Sequence, residues 1–203
     1  MHILLKDLLN ESIPEKLIGY HGSNSDINEF SMKFLDDYIK SNRNSIGGVG
    51  NEAIGSGVYF TDSESLAALY GKFLYTCELS FKKPIILKGN TLRDFKFTTK
   101  QTYDIIRNCP TIMSKEESPL GDWFEEYWET GPSDAMILKL VKDKKYNWNP
   151  ITIDTGFFNG FDSIVYRQAI NKATGYDSLI STEKGVRVYV AWFDEQIKIL
   201  KKE

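Results

Sequence analysis

Gly55-Ser56-Gly57-Val58-Tyr59-Phe60-Thr61-Asp62-Ser63-Glu64-Ser65-Leu66-Ala67-Ala68-Leu69-Tyr70-Gly71 changes its hydrophobic period within a single short stretch. Val58–Thr61 is a β-branched and aromatic run that opens on glycine, which predicts a short strand. The residues after it are good helix formers. Asp62 or Ser63 can cap that helix by accepting from a free backbone N–H, and Gly71 can stop it. A strand turning at once into a short helix is therefore the local unit from which the rest of the chain is read.

Upstream, after Pro14, Lys16-Leu17-Ile18-Gly19-Tyr20-His21-Gly22-Ser23 reads as a second strand ending in a Gly-Ser turn, so His21 stands at a strand end. Residues 2–11 carry Ile3, Leu4, Leu8 and Leu9 near helical spacing and predict a short amphipathic lead helix. Residues 41–57 are polar and dense in glycine. Gly50 and Gly55 have the spacing that opens a phosphate-binding loop, but Ser56 stands where the lysine is needed and no strand leads in, so a mobile loop is expected.

Downstream, strands are expected at Phe73–Phe81 and Pro84–Leu87. Residues 95–150 change character. Helical spacing runs through Thr102–Ile106 and Ala135–Val141, with the acidic aromatic stretch Asp122-Trp123-Phe124-Glu125-Glu126-Tyr127-Trp128-Glu129 between them, and the whole reads as a helical insertion. Strands return at Ser163–Tyr166, Ser178–Ser181, Val186–Phe193 and Ile197–Leu200. Strands and helices without regular βαβ alternation predict an α+β fold, and the 203 residues suit one domain spanning 1–203.

A hydrophobic fraction of 41% and a charged fraction of 26% are those of an ordinary globular chain. The net charge of −3 and the short, interrupted lysine clusters argue against an extended nucleic-acid-binding face. Cys77 and Cys109 have neither CxxC spacing nor histidine neighbours, so no metal site or disulfide framework is expected, and a reducing, cytoplasmic setting follows. Lys6 and Asp7 interrupt the apolar start, so no secretory leader is expected. No apolar run approaches the roughly 20 residues of a membrane span.

Gly55-Ser56-Gly57-Val58-Tyr59-Phe60, with Tyr70 eleven positions after Tyr59, resembles the central motif of NAD-dependent ADP-ribosyltransferases of the diphtheria-toxin and poly(ADP-ribose) polymerase (His-Tyr-Glu) branch. Tyr20-His21-Gly22-Ser23 resembles that family's first motif. Leu79-Ser80-Phe81-Lys82-Lys83-Pro84-Ile85 fits between, and Phe193-Asp194-Glu195-Gln196-Ile197-Lys198 is similar to the last strand of small bacterial and phage members. The resemblance implies two facing, mostly antiparallel sheets forming a split β-sandwich with an NAD cleft. It implies NAD as substrate, no metal, and transfer of a single ADP-ribose to a macromolecular acceptor, protein in the first instance with nucleic acid as the other class.

The chemistry accounts for those residue types. Nicotinamide in NAD carries positive charge, and the faces of two phenol rings, Tyr59 and Tyr70, can sandwich it. Cleavage of the glycosidic bond builds oxocarbenium character that a neighbouring carboxylate stabilises. The resemblance assigns His21 to the adenosine ribose, the Gly22 backbone to the nicotinamide amide, and Ser23 to the same cofactor-binding block. It puts the catalytic acid on or before a late strand, at Glu183, with Gln168 the rival at the equivalent offset after Gly160-Phe161-Asp162-Ser163-Ile164-Val165. Two departures are plain: Tyr189 stands where a polymerase carries glutamate, and Ala67 where it carries serine. Taken singly, a histidine or tyrosine of this kind is more often structural. For Asp162, Asp177, Gln196 and Lys198 the structural reading also leads. NAD glycohydrolysis and a catalytically inert binding module built on the aromatic insertion stay open as alternative functions.

Overall fold

The computed structural model describes residues 16–41, 57–88, 95–108, 133–143, 163–183 and 185–203. The expected lead helix at 2–11, nearly all of the glycine-dense loop and the acidic aromatic stretch lie outside them. The strands are β1 (Leu17–Ser23), β2 (Val58–Thr61), β3 (Phe73–Leu79), β4 (Pro84–Lys88), β5 (Ser178–Glu183), β6 (Val186–Ala191) and β7 (Ile197–Lys202). The α-helices are α1 (Met32–Ser41), α2 (Glu64–Ala67), α3 (Thr99–Asn108), α4 (Asp134–Lys142) and α5 (Ser163–Thr174), and a 3-10 turn Ala68–Tyr70 continues α2.

The architecture is mixed α and β, consistent with an α+β fold. The resemblance implies two facing sheets; among the described residues the strands form one seven-stranded sheet in the order β4-β5-β6-β2-β1-β3-β7. Only β4 and β5 run parallel among its paired strands. The sheet is unevenly zipped. β1 and β3 are in register from Leu17↔Leu79 to Ser23↔Phe73, and β2 and β6 from Val58↔Ala191 to Thr61↔Val188. Across the β1–β2 boundary, only Tyr20 and Thr61 are register partners. A four-stranded and a three-stranded block therefore meet at a narrow joint.

Strand pleating sends alternate side chains to opposite faces, and two cores result. On one face, Val190 and Trp192 of the β6 segment join Leu179, Ile85 and Leu87, and α3, α4 and α5 cover them with Ile105, Ile106, Ile137, Leu140 and Ile170. On the other, Tyr189 and Ala191 join Val58, Phe60, Leu17, Tyr75, Cys77 and Leu79, capped by Phe30 and Met32. β5 and β6 are thus buried on both sides, which is why Leu179-Ile180 and Val188-Tyr189-Val190-Ala191-Trp192 read as unbroken apolar runs.

One expected strand is overturned. Ser163–Tyr166 opens the twelve-residue helix α5. Its β-branched content suggested a strand, but Ala169 and Ile170 continue the pattern at helical spacing and pack against the first core. The two helices within 95–150, α3 and α4, are integral to that core.

Candidate functional site

Of the residues assigned from sequence, His21, Gly22, Ser23, Tyr59 and Tyr70 lie at the β1–β2 joint, and Glu183 and Gln168 lie apart from it. β1 delivers His21, Gly22 and Ser23 at its end, and β2 delivers Tyr59 and runs directly into α2. Ser63 caps that helix, its Oγ accepting from the Leu66 N–H at 3.3 Å. Asp62, the other capping candidate, is used elsewhere.

His21 and Phe30 rings meet edge to face with centroids 5.1 Å apart, and Phe60 and Tyr75 flank the imidazole at 5.6 and 6.3 Å. Its Nδ1 lies 2.7 Å from the Tyr59 carbonyl oxygen. A carbonyl can only accept, so Nδ1 carries the proton, and in the neutral ring Nε2 is left as an acceptor. Burial lowers the His21 pKa below its ordinary 6.5, opposed by that backbone hydrogen bond. At neutral pH the ring is uncharged and its tautomer is fixed.

Gly22 is where two main chains touch. A Cβ built on it would lie 1.9 Å from the Ala67 oxygen and 3.2 Å from Tyr70 Cβ. Two sequence blocks more than forty residues apart thus meet around a glycine, with Ala67 and Tyr70 over it. Tyr70 is 68% exposed and Leu69 79%. The Tyr59 ring is half-buried and packs on the first core, across the sheet from His21, which contacts second-core residues. His21 and Tyr59 are linked through Tyr59's main chain, with their rings on opposite faces. Extending the Tyr20↔Thr61 register by two residues sets Gly22 opposite Tyr59, so Gly22, Tyr59 and Tyr70 share one side. Ser23 Oγ accepts from the Ser25 N–H at 3.1 Å and shapes the turn after β1.

Glu183 ends β5, paired with Val186. It stands four residues along from Leu179, the residue level with Tyr59 across β6. Gln168 lies exposed on α5 instead of on a late strand. Tyr189 is buried between Phe60 and Ile180 in register. Burial raises its pKa, the Asp62 charge raises it further, and Arg187, by charge and a hydrogen bond, opposes both. Asp62 is tied to Arg187 twice: its N–H donates to the Arg187 carbonyl at 3.1 Å and its Oδ1 accepts from the Arg187 N–H at 3.0 Å. This Asp62–Arg187–Tyr189 group was missed from sequence because Asp62 reads as a helix cap. The offset of Tyr189 from the final motif was its one available signal.

Asp177 and Gln196 are tied to neighbouring backbone. The Asp177 carboxylate accepts from the Lys82 and Lys83 N–H groups at 2.8 and 3.0 Å and from Ser178 Oγ at 2.9 Å. Gln196 Oε1 accepts from the Trp192 and Phe193 N–H groups, and its Nε2 donates to the Asp177 carbonyl. Burial pushes the Cys77 thiol up to about 12, which leaves it unreactive.

Among the described residues no group of three or more His, Cys, Asp or Glu side chains is placed to hold a metal ion. No helix among them is long and apolar enough to cross a membrane. An open depression of about 560 Å³ runs along α4, lined by Ala135, Leu138, Lys139, Lys142 and Asp143, and none of the candidate site residues lines it.

No family model matches the chain, and no curated protein matches it. A solved structure described as "Crystal structure of an anti-CRISPR protein" superimposes over 94% of this chain and 97% of that one, at 10% identity and a TM-score of 0.39. A likeness of that size carries no argument about fold or function.

Proposed function

We propose that this chain is a mono-ADP-ribosyltransferase that cleaves NAD at the nicotinamide–ribose bond and passes ADP-ribose to a macromolecular acceptor, protein in the first instance. The observation that carries the reading is the convergence at Gly22. The residue whose backbone would hold the nicotinamide amide lies against Ala67 and Tyr70, on the side of β1 that faces Tyr59. The neutral His21, its Nδ1–H held by the Tyr59 carbonyl, keeps Nε2 as an acceptor for a sugar hydroxyl, but its ring lies across the sheet from Tyr59 and Tyr70, so on this reading the dinucleotide has to span the β1–β2 joint.

On this reading Tyr59 and Tyr70 face the pyridinium from two sides, and a ligand enters where β1 and β2 share a single register pair. Positive charge that develops on the ribose as the bond breaks calls for a carboxylate, for which Glu183 is proposed; its backbone stands two strands and four residues, roughly 16 Å, from Tyr59, so the ribose would have to lie towards the β5 end of the sheet. The nicotinamide leaves with the bonding electrons, and an acceptor nucleophile takes the anomeric carbon.

The test is incubation of the purified chain with NAD labelled in its adenosine, with and without a cell lysate. Nicotinamide release together with label fixed to a macromolecule is expected. Free ADP-ribose formed at the same rate in both samples would make the chain a glycohydrolase. Absence of nicotinamide release in both would refute NAD cleavage.

A further inference from the structure

Tyr70 is mostly exposed, yet the backbone beside it is confined. The chain runs from Tyr70 through Gly71 and Lys72 into β3, whose first residue, Phe73, pairs with Ser23. Gly71 has φ 174°, extended backbone that any residue can adopt, so no conformational demand calls for glycine here. Space does. A Cβ on Gly71 would lie 2.1 Å from the Ser23 carbonyl carbon, 2.3 Å from its oxygen and 2.6 Å from the Asn24 nitrogen. All three are main-chain atoms, and they cannot retreat without disturbing the Ser23↔Phe73 pair. The Lys72 N–H donates to Asn24 Oδ1 at 3.3 Å and closes the same contact from the next residue.

Gly22 makes the reciprocal approach, with Ala67 and Tyr70 lying over it. The segment carrying Tyr70 is therefore fixed to β1 on both sides of that residue: before it by Ala67 against Gly22, and after it by Gly71 against Ser23 and Asn24. Each contact forbids a side chain on one partner.

We propose that Gly71 is a positioning residue for Tyr70, acting through a glycine seam that holds the Tyr70 segment at a fixed height over Gly22, with Asn24 as its hydrogen-bonding clasp. The inference rests on the reading of Tyr70 as a wall for the nicotinamide of NAD, and it goes beyond that reading by explaining how so exposed a ring is held in place. A ring that touches substrate and transition state alike contributes uniform binding, so loosening the seam raises KM for NAD and leaves kcat in place.

The experiment compares Gly71→Ala, Asn24→Ala, Tyr70→Ala and the Asn24→Ala/Tyr70→Ala double variant of the full chain. Asn24→Ala removes a hydrogen bond at an exposed position, so it stands in if Gly71→Ala does not fold. Amide hydrogen exchange is read over residues 64–72 against Tyr75–Leu79 of β3, and nicotinamide release gives KM and kcat. Exchange over 64–72 is expected to speed up about three- to tenfold in Asn24→Ala, with β3 unchanged, the factor that one modest hydrogen bond represents. KM should rise by a similar factor, and the double variant should match Tyr70→Ala alone, because a seam that acts through the ring has nothing left to position.

Unchanged exchange over 64–72 would overturn the seam. So would a KM effect of Asn24→Ala that persists undiminished without the Tyr70 ring. If the parent chain releases no nicotinamide, it is the functional reading that falls, and the exchange measurement decides the seam by itself.

Discussion

Replacing His21 by phenylalanine isolates one hydrogen bond. The substituted side chain keeps a ring among Phe30, Phe60 and Tyr75, so the edge-to-face packing survives, and what is lost is the Nδ1–H that the Tyr59 carbonyl accepts at 2.7 Å. A neutral hydrogen bond is worth about 0.5–1.5 kcal/mol net. For a chain of this size that lowers Tm by roughly 1–6 °C. The pH dependence sharpens the test. Burial depresses the folded-state pKa of His21 below 6.5, and the unfolded chain keeps the ordinary value. Above that value both states are neutral and the hydrogen bond counts in full. As the pH falls through 6.5, the unfolded chain takes up a proton that the folded ring resists, and the parent loses stability. H21F has no such loss. Its deficit at pH 7.5 should therefore shrink steadily towards pH 5.5, measured by thermal unfolding of both proteins across that range. Carboxylates titrate mostly below this window, and the remaining histidine, His2, is common to both proteins and largely cancels in the difference. A deficit that stays constant or widens as the pH falls would refute the reasoning, as would equal stability at pH 7.5.

Gln196→Ala removes two acceptor contacts and one donor contact inside the core and should cost about 3–5 kcal/mol in urea unfolding; Gln196→Glu keeps the two acceptor contacts but sets a buried carboxylate oxygen against the Asp177 carbonyl, and at neutral pH should cost no less. Gly22→Ala forces a methyl against the Ala67 oxygen, and calorimetry should show a clear fall in Tm together with loss of any nicotinamide release. Glu183→Gln should reduce nicotinamide release about a hundredfold or more, the scale on which a charge-stabilising group acts. Gln168→Ala, exposed on α5, should stay within about twofold, as for surface positions generally.

The strands β1 to β7 were legible wherever apolar residues clustered between turn signals, because burial on one or both faces writes itself into the sequence. β5 and β6 could be read even though they alternate poorly, since both faces are covered. Ser163–Tyr166 was misread because a four-residue window of Ser, Ile, Val and Tyr cannot distinguish a strand from a first helical turn, and the deciding residues, Ala169 and Ile170, lie beyond it. The way the strands join was illegible for a different reason: the joint is defined by register pairs between β1 and β2, and nothing local encodes how many there are. At the site, Gly22 and Tyr70 could be named from the resemblance to the ADP-ribosyltransferase motifs, whereas the Asp62–Arg187 tie could not, because an aspartate before a helix serves a cap and a cross-strand bond equally well.

The joint bears on where a ligand can enter. β3 is held along the full length of β1, and β6 along the full length of β2, so parting either pair sacrifices several backbone hydrogen bonds. Between β1 and β2 the described residues give one register pair, Tyr20↔Thr61, together with the imidazole contact to Tyr59 and side-chain packing such as His21 on Phe60. Local opening follows the number of bonds broken, so amides flanking the joint should exchange faster than those of β3 and β6 in the free protein. If NAD binds there, it should slow exchange at Val58–Thr61 and Tyr20–Ser23 and leave Tyr75–Leu79 unchanged, a pattern that residue-resolved exchange with and without NAD can read. Slowing confined to α4, beside the open depression lined by Leu138 and Lys139, would instead move the ligand away from Gly22 and remove the ground on which the transferase reading stands.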